Sequence, residues 1–237
     1  AVVGAFLLRN VPAEKGLNPI AADDSETAIG KGSANDRPDW SQVYRSKTAW
    51  HLGVVYIAFG FSYIIYVTFF FKMLVAEGGY TTTGAGRLFM LMGWCSLLCG
   101  LIWGSMSDVV GRRYALLSVY LVQAVAYALV SLWPSNAGYI VSSVMFGITA
   151  WSIPGIMAAA CGDLFGSRLA PAALGFLTLF FGVGRVISPG IAGAMADAAG
   201  SFSSAFSLAA IVATLGAVGA LSLPDDRSRG AAVPDSR

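Results

Sequence analysis

The chain has 237 residues, of which 56% are hydrophobic and 12% charged, with 15 Lys+Arg against 13 Asp+Glu and a net charge of +2. Ordinary soluble domains carry roughly 25% charged residues and must clothe their surface in polar groups, so a water-soluble globule is excluded and the apolar excess faces lipid. The near-neutral balance contains no basic patch or stripe, which excludes nucleic acid as a partner.

In chain order, residues 1–8 (AVVGAFLL, beginning at Ala1) are apolar but too short to span a bilayer or to act as a signal peptide. They read as the end of a preceding transmembrane helix. Residues 9–49 turn polar, with Gly, Ser, Asp and Pro scattered and no helical or strand period, and read as a linker. Apolar runs long enough to cross a hydrocarbon core of about 30 Å follow. Six are expected, at about 52–71, 88–107, 114–133, 137–162, 172–196 and 202–223, inside a membrane domain at 50–224. The first two contain no Asp, Glu, Lys or Arg, and Pro134-Ser135-Asn136 supplies the turn that divides the uncharged stretch after Tyr114 into spans three and four. Residues 225–237 form a polar tail. The predicted fold is an all-α, integral-membrane bundle of six transmembrane helices.

Positive charge sets the orientation. Arg9, Lys15, Lys31, Arg37, Arg45 and Lys47 lie in the linker, Arg112 and Arg113 between spans two and three, Arg168 between four and five, and Arg227, Arg229 and Arg237 in the tail. Only Lys72 and Arg87 flank a loop on the opposite side. The linker and the C-terminus are therefore expected in the cytoplasm. Cys95, Cys99 and Cys161 sit within apolar runs and read as inert core thiols. His51 is the single histidine, and no metal-ligand set, phosphate loop or nucleophile elbow is present, so neither an enzyme nor a cofactor is expected.

The loop after the second span runs Gly104-Ser105-Met106-Ser107-Asp108-Val109-Val110-Gly111-Arg112-Arg113. Gly111 permits a tight turn, Asp108 accepts hydrogen bonds at the mouth of the next helix, and two arginines stay at the wet face. A plain topogenic loop could hold the same residues. The spacing G-x-x-x-D-x-x-G-R-R between two membrane helices resembles the signature loop of the major facilitator superfamily of transporters. Met106 and Ser107 replace the usual Leu and Ala, and Val109 the usual Arg, as in second-half copies of the loop. The fifth span, with Gly184-Arg185-Val186-Ile187-Ser188-Pro189-Gly190, a closing Asp197 and Gly200-Ser201-Phe202, resembles helix eleven of that superfamily. Together with the first-span tract from Phe59 to Phe69, it is similar to the YbfB/YjiJ-like branch. The resemblance covers roughly the last 190 residues, aligned as helices seven to twelve. It implies a missing N-terminal six-helix half, a location in a bacterial inner membrane, and a gating cluster of Asp108, Gly111, Arg112, Arg113 and Asp163 that holds the cytoplasmic side shut.

Arg185 is the one ionisable residue deep in a span, costing about 2.5 to 3.5 kcal/mol by insertion scales unless it faces protein or water. It is a substrate-binding candidate for a carboxylate or phosphate; the bland alternative pairs it with neighbouring carbonyls or a carboxylate elsewhere. Tyr56, Tyr63 and Tyr66, spaced seven and three apart near one helix face, join Trp94 and Trp151 as candidate walls. Each alone is also a plausible packing aromatic. Gln123 reads as an interhelical hydrogen-bond partner, and Gly184, Pro189 and Gly190 as a helix bend. The expected function is secondary active transport of a small molecule, tilted by Arg185 towards a small organic anion, by alternating access in the bilayer. The rivals are a self-contained six-span channel or carrier acting as an oligomer and a non-transporting membrane fragment.

Overall fold

A computed structural model of the protein describes residues 40–223. The opening residues 1–8, most of the linker and the 225–237 tail lie outside the described residues. The described chain is helical throughout: α1 (Ser41–Arg45), α2 (Lys47–Ala76), α3 (Thr82–Ser96), α4 (Cys99–Val110), α5 (Arg112–Leu132), α6 (Asn136–Gly147), α7 (Ser152–Ala199) and α8 (Ser203–Leu221). In lipid, a helix satisfies every backbone donor and acceptor internally, which is why uncharged sequence of this length adopts it. The ends are set by capping: Ser46, Thr81 and Ser135 accept hydrogen bonds from the backbone N–H groups of Ala49, Gly84 and Gly138 at 3.3, 3.1 and 3.1 Å.

Five continuous apolar helical runs emerge, the fourth spanning 64 residues from Asn136 to Ala199. At 1.5 Å per residue, such a run laid straight would be about three bilayer cores long. It contains two passes, because Gly166 adopts φ 70° and ψ 170° and breaks α7. Trp151 and Phe181 stand on either side of this break, yet both meet neighbouring rings of α2, Trp151 at Tyr63 and Phe181 at Phe59. Only a reversal at Gly166 brings them there. The six expected spans are thus α2, α3–α4, α5, α6 with the first part of α7, the remainder of α7, and α8.

The boundaries differ from the sequence expectation in two places. Among the described residues helix starts at Ser41 and α2 at Lys47, inside the stretch read as linker to 49. Amphipathic residues carry it there: Trp50 donates its indole N–H to Tyr44 O at 2.8 Å, and such rings suit a membrane–water boundary. The fifth pass is helical from just after Gly166 rather than from 172, with Pro171 in its second turn.

α2 is the central helix, packed against α7 and α8 and reached by the Tyr120 and Tyr127 side chains of α5. Its contact with α7 is close because glycines face each other: a Cβ at Gly60 would run into Phe181 O, and one at Gly184 into Ile57 O. Polar side chains bridge the helices. Tyr120 donates to Val55 O at 2.6 Å, Trp103 to Ile148 O at 2.7 Å and Gln123 to Thr149 O at 3.2 Å, so Gln123 is an interhelical partner. Cys99 and Cys161 are buried free thiols and Cys95 is partly buried.

Candidate functional site

Two groups of residues stand out, one in the middle of the membrane passes and one at the end of the bundle where α4 meets α5.

The mid-membrane group is organised by the glycine contact. With Gly60 against Gly184, the aromatic residues of α2 lie directly beside α7. Phe181 stacks on Tyr56 and Phe59, with ring centroids at 5.0 and 5.4 Å. Phe59 leads to Tyr63 at 5.2 Å, and Tyr63 to Trp151 at 5.8 Å. One turn after Phe181, Arg185 sets its guanidinium over the Phe181 ring, 5.2 Å from the centroid, and within electrostatic reach of Tyr63. Arg185 is exposed, and among the described residues no carboxylate pairs with it. The cation–π contact recovers only about 0.5 to 2 kcal/mol and leaves the N–H donors of a five-donor group without acceptors. A bare guanidinium at this depth calls for water or an anion.

The second group sits on the α4–α5 turn. Gly111, at φ 94° and ψ 155°, allows α5 to start immediately after α4 ends. That places Arg112 where its Nη1 donates to Asp108 Oδ1 at 2.6 Å and Ser107 Oγ at 2.8 Å, while its Nε donates to Asp163 Oδ2 at 2.7 Å. One guanidinium therefore ties α4, α5 and the first part of α7. The Asp108 and Asp163 side chains are 68% and 44% exposed against 20% for Arg112, so each pair is of the solvent-screened kind worth about 0.2 to 1 kcal/mol. Such a link holds an end of the bundle together and opens cheaply. Ser107, its third partner, was not singled out in the sequence; a hydroxyl five residues before the arginine carries too common a signal.

A cavity of about 230 Å³ between α4 and α7 joins the groups. It is lined by Gly100, Gly104, Gly155 and Ala159, with Trp151 and Ser152 on its wall and Asp108 and Arg112 also bordering it. Small side chains leave this space open.

The remaining predicted site residues are dispersed. Tyr66 is fully buried, its hydroxyl 2.9 Å from Ser142 Oγ and its ring 4.1 Å from Phe146, so it packs within the bundle away from Arg185. Trp94 is 66% exposed on α3 and makes no ring contact with the group among the described residues. Arg113 stands apart from the carboxylates: its guanidinium lies 5.4 Å from the Tyr114 ring and its Nε is buried without a partner. The Gly184–Gly190 segment keeps helical dihedrals through Pro189, the non-helical residue of α7 being Gly166. Gly184 serves close approach rather than a break. Sequence reasoning did not single out Phe181 or Phe59, whose signal was drowned in a chain with 14 phenylalanines. Among the described residues, no cluster of metal-ligating side chains occurs.

No curated protein matches the sequence significantly. Among solved structures, the chain is similar to the crystal structure of a variant of the E. coli fucose:proton symporter, with a TM-score of 0.65 at 15% sequence identity. That similarity covers 76% of this chain and 43% of the symporter, so the chain spans less than half the length of that structure. At this identity the likeness shows the fold: a helical bundle of the major facilitator type. Residues 27–221 match the family described as "Uncharacterised MFS-type transporter YbfB". With far more than half of its length matched, this integral-membrane chain belongs to the YbfB family of MFS-type transporters.

Proposed function

We propose that the chain forms the C-terminal half of a secondary transporter that moves a small organic anion by alternating access, its partner half being an N-terminal six-helix bundle. The observation that carries the reading is Arg185. It is an exposed cation halfway along a membrane pass, set over the Phe181 ring, with hydrogen-bond donors left over for a ligand. A guanidinium matches a carboxylate in a bidentate geometry that an ammonium cannot reproduce.

The described carboxylates Glu77, Asp108, Asp163 and Asp197 all lie at helix ends or in connections, and none lies level with Arg185. Coupling to protons, as in the fucose symporter's name, then rests on carboxylates of the N-terminal half, or transport proceeds by exchange. The Arg112 link closes the cytoplasmic side in one conformation and parts in the other; its modest strength suits an element that must switch. The family likeness points to the bacterial inner membrane, and the distribution of Lys and Arg puts the linker and C-terminus in the cytoplasm. Substrate, bilayer and the N-terminal half are its partners.

The test is uptake of radiolabelled acetate and benzoate into proteoliposomes holding the full natural protein. Arg185→Gln is expected to lower uptake by about a hundredfold, as for loss of a charged hydrogen-bond donor set, with an unchanged melting temperature. Full uptake in that variant overturns the anion reading. Asp108→Asn is expected to raise cytoplasmic accessibility of a cysteine introduced at Gly104; unchanged accessibility and unchanged rates would sink the gating role.

A further inference from the structure

We infer that the acidic residues Asp225 and Asp226, just beyond α8, dock on Arg113 at the start of α5 and tie the C-terminal tail to the end of the bundle. The inference is independent of the reading of Arg185.

The turn at Gly111 sets two adjacent arginines at the start of α5. Their surroundings differ. Arg112 donates to both Asp108 and Asp163. Arg113 is half-buried, with its guanidinium near the Tyr114 ring and its Nε buried without an acceptor. An N–H withdrawn from water is costly to leave unpaired, the more so on a charged group.

Arg113 lines a small pocket at this end of the bundle. Thr48 and Leu52 reach it from the start of α2, Leu116 from α5, Leu164 from α7 just before the Gly166 break, and Leu223 from just past α8. Its free space is about 20 Å³, room for one water-sized group. A carboxylate oxygen fits there, whereas the body of a substrate or a lipid headgroup does not. The apolar lining keeps water away and strengthens an ion pair formed at the mouth.

Which carboxylate fills the pocket follows from the chain. Leu223 is itself part of the wall, and the sequence continues past the described residues as Pro224-Asp225-Asp226. At no more than about 3.6 Å per residue, Asp225 lies within about 7 Å of Leu223 and Asp226 within about 11 Å, measured between Cα atoms. Pro224 lacks the N–H that would prolong α8. Asp108 and Asp163 are already engaged by Arg112. A carboxylate meets the Nε–H and one Nη–H of a guanidinium side by side, which satisfies the buried donor and the charge together.

The experiment is trypsin digestion of the full natural protein in nanodiscs, with cleavage after Arg227 followed by mass spectrometry of the released tail. A protease must draw the backbone around Arg227 out of its site, so the rate reports the undocked population. Arg113→Gln is expected to speed cleavage about tenfold in protein that keeps Asp225 and Asp226, and to change nothing in the Asp225→Asn/Asp226→Asn background. Equal rates with and without Arg113, or the same acceleration in both backgrounds, overturn the inference. Melting curves separate a freed tail from a loosened bundle. Proximity is read directly with Arg113→Lys, in which a carbodiimide is expected to join the introduced amine to the carboxylate of Asp225 or Asp226 as an amide, the reagent taking up the water lost. Cross-links that run from the tail to Lys47 instead, or from position 113 only to Asp108 or Asp163, overturn it.

Discussion

Mean hydropathy over the most apolar part of α2 is 2.0, and over the same length of α3–α4 it is 1.7, yet 56% of the first window is buried in protein and 17% of the second. Both segments are apolar enough to enter a membrane. α2 is wedged between α7 and α8 and reached by tyrosines of α5, while α3–α4 packs against α6, α5 and α7 along one side and leaves Met90, Trp94, Leu97 and Leu101 exposed. Where lipid is as apolar as the protein interior, apolarity cannot choose between the two, and small residues and hydrogen bonds decide. α2 has both, in Gly60 against α7 and in Val55 O accepting from Tyr120. The glycines of α3–α4, such as Gly93 and Gly100, face nothing within 4 Å. This open side leads to the cavity between Trp151 and Arg112.

The contrast can be broken by substitution. Gly60→Leu is expected to do most damage, because its side chain meets backbone of Phe181 that cannot step aside. A loss of more than about 3 kcal/mol, read as lost monodisperse protein in detergent and a collapsed melting transition, follows from overpacking at a backbone contact. Gly100→Leu, on the open side, is expected to melt like the parent, and any defect should show in transport instead. If the two variants melt alike, the division between packed and open sides is wrong. Gln123→Leu removes a donor to Thr149 O, which keeps its bond from the Ser152 N–H, and the acceptor of the buried Tyr127 hydroxyl, so about 1 to 3 kcal/mol is expected from that hydroxyl left unpaired. Tyr66→Phe deletes the hydroxyl shared with Ser142, while Ser142 keeps its bond to Ala126 O, so about 1 kcal/mol is expected and transport should persist.

The smallest effects belong to the ends. Glu77, at the C-terminus of α2, accepts from the Phe202 backbone N–H and the Ser201 hydroxyl, both at 2.7 Å, and so caps α8 from a neighbouring helix. Glu77→Gln keeps an acceptor but loses the charge that complements the helix N-terminus, for about 0.5 kcal/mol by thermal melting. Trp94→Leu is expected to fall within about 0.5 kcal/mol of the parent, as for surface substitutions generally.

Tyr56, Tyr63 and Tyr66 show where spacing along a helix stops being informative. At about 100° per residue, Tyr63 lies within 20° of Tyr56 but Tyr66 stands some 60° further round. That offset sends Tyr66 into the α5–α6 side while the other two meet Phe181 and Trp151. Arg185 was legible because a lone charge in an apolar run is conspicuous, and the turn at Gly111 because its motif is compact. Phe181 was not, since one phenylalanine among many acquires meaning only from what stands opposite it.

The sequence by itself determined that the chain lives in a membrane, how many times it crosses, which turns divide the passes and which cation lies at depth. These are properties of local composition: uncharged length, capping residues and the cost of burying charge act on each segment separately. Tertiary structure decided that α2 is central, that Gly60 meets Gly184, that one arginine joins Asp108 to Asp163, and that Phe59 links Phe181, which carries Arg185, to Tyr63 and Trp151. Helix neighbours in a bilayer are selected by contact geometry between distant segments, and no hydrophobic gradient writes that choice into the period of a single helix.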